Sequence, residues 1–212
     1  MKIAILGSGG REHAIAVSLS KSSKIKKIYC IPGNGGTSEI ASNVDLDIND
    51  FDRLHKFLYE NKIDLVVIGP ELPLVNGIVD YLEKFNIKVF GPNKLASQLE
   101  GSKIFTKKLC EEYNIPTAKF GILKNKIDAK KFLENSEYPT VIKADNLASG
   151  KGVYICNNEE DSCIAIDEIF NGKFGIAKNI LIEEYLEGEE MSYFVISDGK
   201  SIKSFETAQD HK

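Results

Sequence analysis

The sequence has no tryptophan, two methionines and six prolines, and only two of its 27 basic residues are arginines, Arg11 and Arg53. Its apolar runs are short, Leu65-Val66-Val67-Ile68 being typical, which excludes a membrane helix of about 20 residues. The four cysteines, Cys30, Cys110, Cys156 and Cys163, show no CxxC spacing, so a disulfide scaffold is excluded. The start, Met1 to Gly7, looks like a strand and carries no small-residue cleavage site after an extended apolar core. No leader is expected, and the thiols are expected to be reduced in the cytoplasm. A net charge of −4 and a pI near 5.5 speak against a general nucleic-acid binder. The scarcity of arginine makes the position of Arg11 informative, because its planar five-donor fork is rare in this chain.

What is present is an ordinary globular composition: 212 residues, 42% hydrophobic and 27% charged, enough for one large domain or two small ones. Lys2 to Leu6, Lys27 to Ile31, Asp64 to Ile68 and Ile87 to Phe90 read as short strands ending at Gly or Pro. Between them, Phe51, Leu54, Phe57 and Leu58 share a helix face, with Asn49 or Asp50 as N-cap. Val75, Ile78, Val79, Leu82 and Phe85 are spaced for one face of a second helix. Strands alternating with helices predict an open α/β domain with a parallel sheet.

Near residue 100 the pattern changes. A helix from Ser102 to Tyr113, with Phe105, Leu109 and Tyr113 on one face, is expected to stop at Ile115-Pro116. Further strands are expected at Pro139 to Ala144, Gly152 to Cys156, Ile180 to Tyr185, Met191 to Ser197 and Ser201 to Phe205, with helices at Ile127 to Asn135 and Glu159 to Phe170. Short turns between the strands predict an α+β half with antiparallel pairing, and a boundary between the halves near 95–118.

The first strand runs into Gly7-Ser8-Gly9-Gly10-Arg11-Glu12-His13. A glycine turn entering a helix points backbone N–H groups and the positive dipole end at one place, where a phosphate fits. A dinucleotide fingerprint is not matched: Glu12 stands where the third glycine belongs, and strand two ends Cys30-Ile31-Pro32-Gly33 without a ribose-binding acid. A tight first turn is also what any α/β domain needs; Arg11 beside it favours a phosphate monoester. The loops Pro32 to Thr37 and Gly69 to Gly77 leave the same sheet edge, so all three can face one pocket.

In the second half, Lys143 lies in the strand Val141 to Asp145, where a lysine usually takes the solvated face. The small-residue turn Ser149-Gly150-Lys151-Gly152 follows and can fold over phosphates. The acidic stretch Glu183 to Glu190 reads either as a solvated turn or as a hinge for a nucleoside.

Taken together, Gly9 to His13, Pro32-Gly33-Asn34, Gly69-Pro70-Glu71 with Pro73-Leu74-Val75, Leu99 to Lys103, Ile115 to Ala118, Val141 to Asp145, Gly150 to Val153 and Gln209 to Lys212 occur in an order that resembles the glycinamide ribonucleotide synthetases. These are the phosphoribosylamine–glycine ligases of purine synthesis, within the ATP-grasp superfamily. The resemblance runs the length of the chain. It implies a Rossmann-like phosphosugar-binding domain at 1–101, a connecting helix at 102–118, an ATP-grasp flap subdomain at 119–190 and the start of an ATP-grasp core at 191–212. It also implies an ATP-dependent ligation of glycine to 5-phosphoribosylamine through a glycyl phosphate. Lys103, Lys143, Ser149, Gly150, Lys151, Gly152, Glu183, Glu184, Leu186 and Glu190 would hold ATP. Gly9, Gly10, Arg11, Glu12, Asn34, Gly36, Thr37, Pro70, Glu71, Asp210 and Lys212 would hold the phosphosugar. No residue is assigned a catalytic role.

Two departures bear on this. Asn146 and Ser149 stand where the family has smaller residues. The family also continues for about as many residues again, including the cluster that holds Mg²⁺ or Mn²⁺, so the metal ligands are expected outside this chain. The expectation is therefore an incomplete ligase, with a non-catalytic phosphosugar- or nucleotide-binding module, or a relic, as the alternative. The expected partners are small molecules, not nucleic acid or membrane, with a monomer favoured.

Overall fold

The structure is a computed structural model that describes residues 1–145 and 152–209. The first sheet has the order β3-β2-β1-β4-β5, parallel throughout. Its strands are β1 (Lys2–Gly7), β2 (Lys27–Pro32), β3 (Ser42–Asn43), β4 (Leu65–Ile68) and β5 (Val89–Phe90). β1 is central and almost wholly buried, as a parallel strand covered on both faces must be. Ala4 and Leu6 face a core with Ile31, Val66, Ile68, Leu54 and Leu82, whereas Ile3 and Ile5 face Ala16, Ile28, Cys30 and Val67. Helix α1 (Gly10–Ser20) supplies Ala16, and α2 (Phe51–Glu60) supplies Leu54. Asp50 caps α2, its carboxylate accepting from Arg53 N at 3.0 Å.

The single helix expected through Val75 and Phe85 is instead two, α3 (Glu71–Asn76) and α4 (Ile78–Glu83). Gly77, at φ +93°, separates them in a left-handed conformation open to glycine. Ile78, Val79 and Leu82 are buried as the spacing implies, but Phe85 lies beyond the helix and is exposed.

Helices α5 (Gln98–Gly101) and α6 (Lys103–Glu112) lead into the second half. Ser102 caps α6, accepting from Phe105 N. The face of α6 that packs inward is not the expected one: Ile104 and Lys107 are buried, and Tyr113 is exposed. The second sheet is antiparallel with the order β6-β9-β7-β8, formed by β6 (Phe120–Leu123), β7 (Thr140–Ala144), β8 (Val153–Cys156) and β9 (Ile180–Glu184). Helices α7 (Lys126–Leu133) and α8 (Glu159–Phe170) cover one face through Ala129, Leu133, Ala165, Ile166 and Ile169, packed on Ile142, Ala144, Ile180 and Ile182. Since side chains alternate along a strand, Lys143 and Glu183 point to the opposite face.

The strand expected over Met191 to Ser197 is split into β10 (Met191–Ser192) and β11 (Val195–Ser197). These pair antiparallel with β13 (Ala208–Gln209) and β12 (Ile202–Ser204), respectively. No helix among the described residues is long and apolar enough to cross a membrane.

Candidate functional site

β1, β2 and β4 are neighbours in the sheet, and β1 is left by the chain towards one side first and the other later. In such a sheet the crevice beyond the strands' carboxyl ends is where a ligand fits. The three glycine-rich loops meet there. Asn34 Nδ2 donates to Ser8 O at 2.9 Å and to Gly9 O at 3.2 Å, joining the second loop to the first. Arg11 Nη1 donates to Gly69 O at 2.8 Å and lies 3.0 Å from Glu71 Oε1, joining the first to the third.

Glu12 is the buried brace beneath them. It is 5% exposed, and its carboxylate accepts from Gly9 N. A Cβ on Gly7 would come within 2.7 Å of Glu12 Cδ, and one on Gly69 would overlap Glu12 Oε1. A side chain at 69 would therefore have to displace the buried acid beneath it.

The result is an open pocket of about 620 Å³ lined by residues 7–12, Pro32, Leu46–Ile48, Pro70 and Glu71. Gly9 N-caps α1 and Gly10 opens it, so the helix N-terminus faces this space. Thr37 does not line the pocket. It is fully buried, its hydroxyl accepting from Asn34 N at 2.7 Å and contacting Asn43 Oδ1 at 2.8 Å, so it shapes the second loop. Gly36 lies against the His13 ring. The Glu71 carboxyl is held below its ordinary range, first by its own amide at the start of α3 and then by Arg11. Leu46, Asp47 and Ile48 are pocket residues that sequence reasoning missed, because an acid between two aliphatics in a loop carries no motif.

On the second sheet, Lys143 is not on a solvated face. Its Nζ lies 2.9 Å from Glu183 Oε2, and the Glu183 side chain is only 6% exposed. Lys107, from α6, approaches the other oxygen at 3.4 Å and is itself buried. It faces Glu183 Oε1 as a charge rather than as an aligned donor, because that oxygen accepts no hydrogen bond. Lys107 Nζ instead donates to Thr117 Oγ1 at 2.7 Å and Ala118 O at 3.1 Å, and lies 5.2 Å from the Phe120 ring centre.

Lys103 Nζ donates to Ala144 O at 3.1 Å. Asp145 accepts from Ser102 Oγ at 3.0 Å and Ile104 N at 3.1 Å, which fastens the start of α6 to the end of β7. Lys103, Lys107, Lys143 and Glu183 thus share a cavity of about 230 Å³ with Leu99, Glu100, Thr106 and Thr117. Lys107 was not singled out from sequence, since a lysine in an amphipathic helix reads as surface.

Gly152 O accepts from Ala144 N at 2.8 Å, beside the Lys143–Val153 pair of β7 and β8. Glu184 accepts from Lys119 N at 2.8 Å. Leu186 and Glu190 are exposed just beyond β9. Ser149, Gly150, Lys151, Asp210 and Lys212 lie outside the described residues. Among the described residues no three His, Cys, Asp or Glu side chains gather in a metal-holding group, so these residues are not assigned a divalent ion.

The family model described as phosphoribosylglycinamide synthetase, N domain, matches residues 1–100, and that described as phosphoribosylglycinamide synthetase, ATP-grasp (A) domain, matches residues 101–212. The phosphoribosylamine–glycine ligase of Mesorhizobium japonicum is 49% identical over 213 residues, covering 100% of this chain and 50% of its own length. That of Clostridium acetobutylicum is 43% identical over 217 residues, covering 100% and 51%. Among solved structures, the phosphoribosylamine–glycine ligase of Thermotoga maritima superposes with a TM-score of 0.81 at 28% identity, over 98% of this chain and 49% of that one. The chain spans about half the length of the curated relatives it matches. With both family models together spanning residues 1–212, this chain belongs to the phosphoribosylglycinamide synthetase family.

Proposed function

We propose that this chain supplies the phosphosugar pocket and the triphosphate-facing sheet of an ATP-dependent ligase that joins glycine to 5-phosphoribosylamine. The observation that carries the reading is the convergence of three loops on one pocket, with a helix N-terminus and the Arg11 guanidinium at its wall. A phosphate monoester would take the backbone N–H groups of Gly10 and Arg11 and the Arg11 fork, the Gly9 N–H being given to Glu12, while Glu71 would accept from the sugar or its amine. Asp210 and Lys212 complete the pocket in this reading.

The second cavity supports the nucleotide. Lys103 and Lys143 bring ammonium groups to phosphates, the Ser149 to Gly152 turn covers them, and the Glu183 to Leu186 segment with Glu190 takes the nucleoside. The chemistry that such a pairing serves is activation of a poor electrophile. A glycine carboxylate oxygen attacks the γ-phosphorus and ADP leaves. The phosphoribosylamine nitrogen then attacks the acyl carbon, and inorganic phosphate leaves while the nitrogen gives up its proton. Positioning and fixed cations do most of this work. A divalent ion, Mg²⁺ or Mn²⁺, would supply charge neutralisation to the triphosphate from ligands outside the described residues, and no step here is routed through it.

The test is calorimetry on the 212-residue chain with ribose 5-phosphate as a stable stand-in for the amine. Arg11→Lys replaces a fork by a point charge and is expected to weaken binding about tenfold with the unfolding midpoint retained. Equal affinity for the two proteins would remove the pocket from the reading.

A further inference from the structure

The buried acid between two lysines poses a question of charge that the phosphate contacts alone do not answer. Glu183 is in the wall of the cavity with one ammonium at each oxygen, Lys143 at 2.9 Å and Lys107 at 3.4 Å. The two lysines differ in how they are held. Lys107 is 10% exposed at its side chain, and two of its three N–H donors are spent on Thr117 Oγ1 and Ala118 O. Lys143 is 25% exposed, and its partner among the described residues is Glu183. Among the described residues, one cation is thus anchored by neutral acceptors of the protein and the other by the acid alone.

A nearly buried carboxylate must keep a counter-charge, because losing both would strand it in a poorly solvated place. If Lys143 were its only partner, that lysine could not leave it for an incoming anion without a large penalty. With Lys107 fixed beside the same carboxylate, Lys143 can exchange Glu183 for a phosphate while the acid stays neutralised. We propose that Lys107 is a positioning residue that compensates Glu183 and so frees Lys143 to meet the triphosphate. This rests on the nucleotide reading above and adds to it a residue that touches no ligand.

The experiment is a titration of the full chain with ADP in Mg²⁺ buffer, across wild type, Lys107→Met, Glu183→Gln and the double variant. Lys107→Met is expected to weaken ADP about tenfold, because Lys143 is then retained by the acid. Removing the acid as well should release Lys143 again, bringing the double variant to within about threefold of Glu183→Gln alone. Lys107→Gln, which keeps a donor for Ala118 O without the charge, should behave as Lys107→Met does and covers the case in which the methionine variant does not fold.

Wild-type binding of ADP with undiminished binding by Lys107→Met or Lys107→Gln overturns the role of Lys107 and leaves the nucleotide site standing. A double variant more than about threefold weaker than Glu183→Gln also overturns it, since a merely structural lysine would not be rescued by deleting its acid. Absence of ADP binding by the folded wild type overturns the nucleotide reading, and this inference with it.

Discussion

A carboxylate buried to 5% exposure has to be met by donors, and Glu12 meets the Gly9 amide while lying under Gly7 and Gly69. Glu12→Ala would leave that amide unpaired and a void beneath two loops. The expected loss is about 1–3 kcal/mol in urea unfolding, with Glu12→Gln losing less because it keeps an acceptor. Lys143 invites a similar argument. Its contact with buried Glu183 means that Lys143→Ala should lower stability, but by no more than about 1 kcal/mol because Lys107 stays beside the acid, a loss measurable in the same denaturation series.

Glu71 adds a pH dependence. Its folded-state pKa lies below the ordinary carboxylate value, so its contribution is fully present above about pH 4.5 and disappears as the pH falls through the lowered value. Thermal melts of Glu71→Gln and wild type should therefore differ near neutrality and converge in acid. None of these three roles is legible in the sequence. Acids in polar segments and a lysine in a strand read as surface, and only the chain's return at Gly69 or along β9 brings Glu12 and Lys143 to covered sites, while Glu71 stays 47% exposed beside Arg11.

Elements were legible where one physical signal dominated. The parallel strands β1 and β4 are nearly continuous aliphatic runs and β2 is a mainly apolar one, and α8 starts at a cap, Asn158 accepting from Asp161 N at 2.8 Å. The parallel sheet and the antiparallel second sheet both follow from such signals. Elements whose identity depends on a neighbour were not legible. β6 carries Gly121 in its middle, and the glycine makes sense only against the Phe132 ring, which a Cβ would approach to 2.5 Å. β3 is two residues long and exists because β2 offers it an edge.

Gly77 belongs here too: a helical period runs straight through it, but the backbone turns left-handed and begins α4 afresh. Gly77→Ala is expected to cost about 1–2 kcal/mol in thermal or urea unfolding, since alanine is forced into a positive φ. A neutral or stabilising result would mean that the two helices can fuse into the one that the apolar spacing suggests.

At the scale of the whole molecule, apolar surface is distributed very unevenly. The two larger sheets bury most of their aliphatic residues, β8 with Val153 and Ile155 excepted, but the segment from Met191 to Phe205 does not. Met191, Tyr193, Phe194, Val195, Ile202 and Phe205 are each at least half exposed, on strand pairs of two and three residues. Exposed apolar side chains gathered in one segment bind hydrophobic probes and promote association, and short open-edged pairs offer unpaired backbone to other chains. The same exposure means that these side chains contribute little to the chain's own stability.

The two statements together predict that surface association falls while stability is left nearly unchanged. Ile202→Lys combined with Phe205→Lys should lower both the fluorescence of a bound hydrophobic dye and the concentration-dependent light scattering of the 212-residue chain. The urea midpoint should move by no more than about 0.5 kcal/mol equivalent. A clear fall in the midpoint would show instead that Ile202 and Phe205 pack against the rest of the chain in solution, and that the segment is better covered than its exposure indicates.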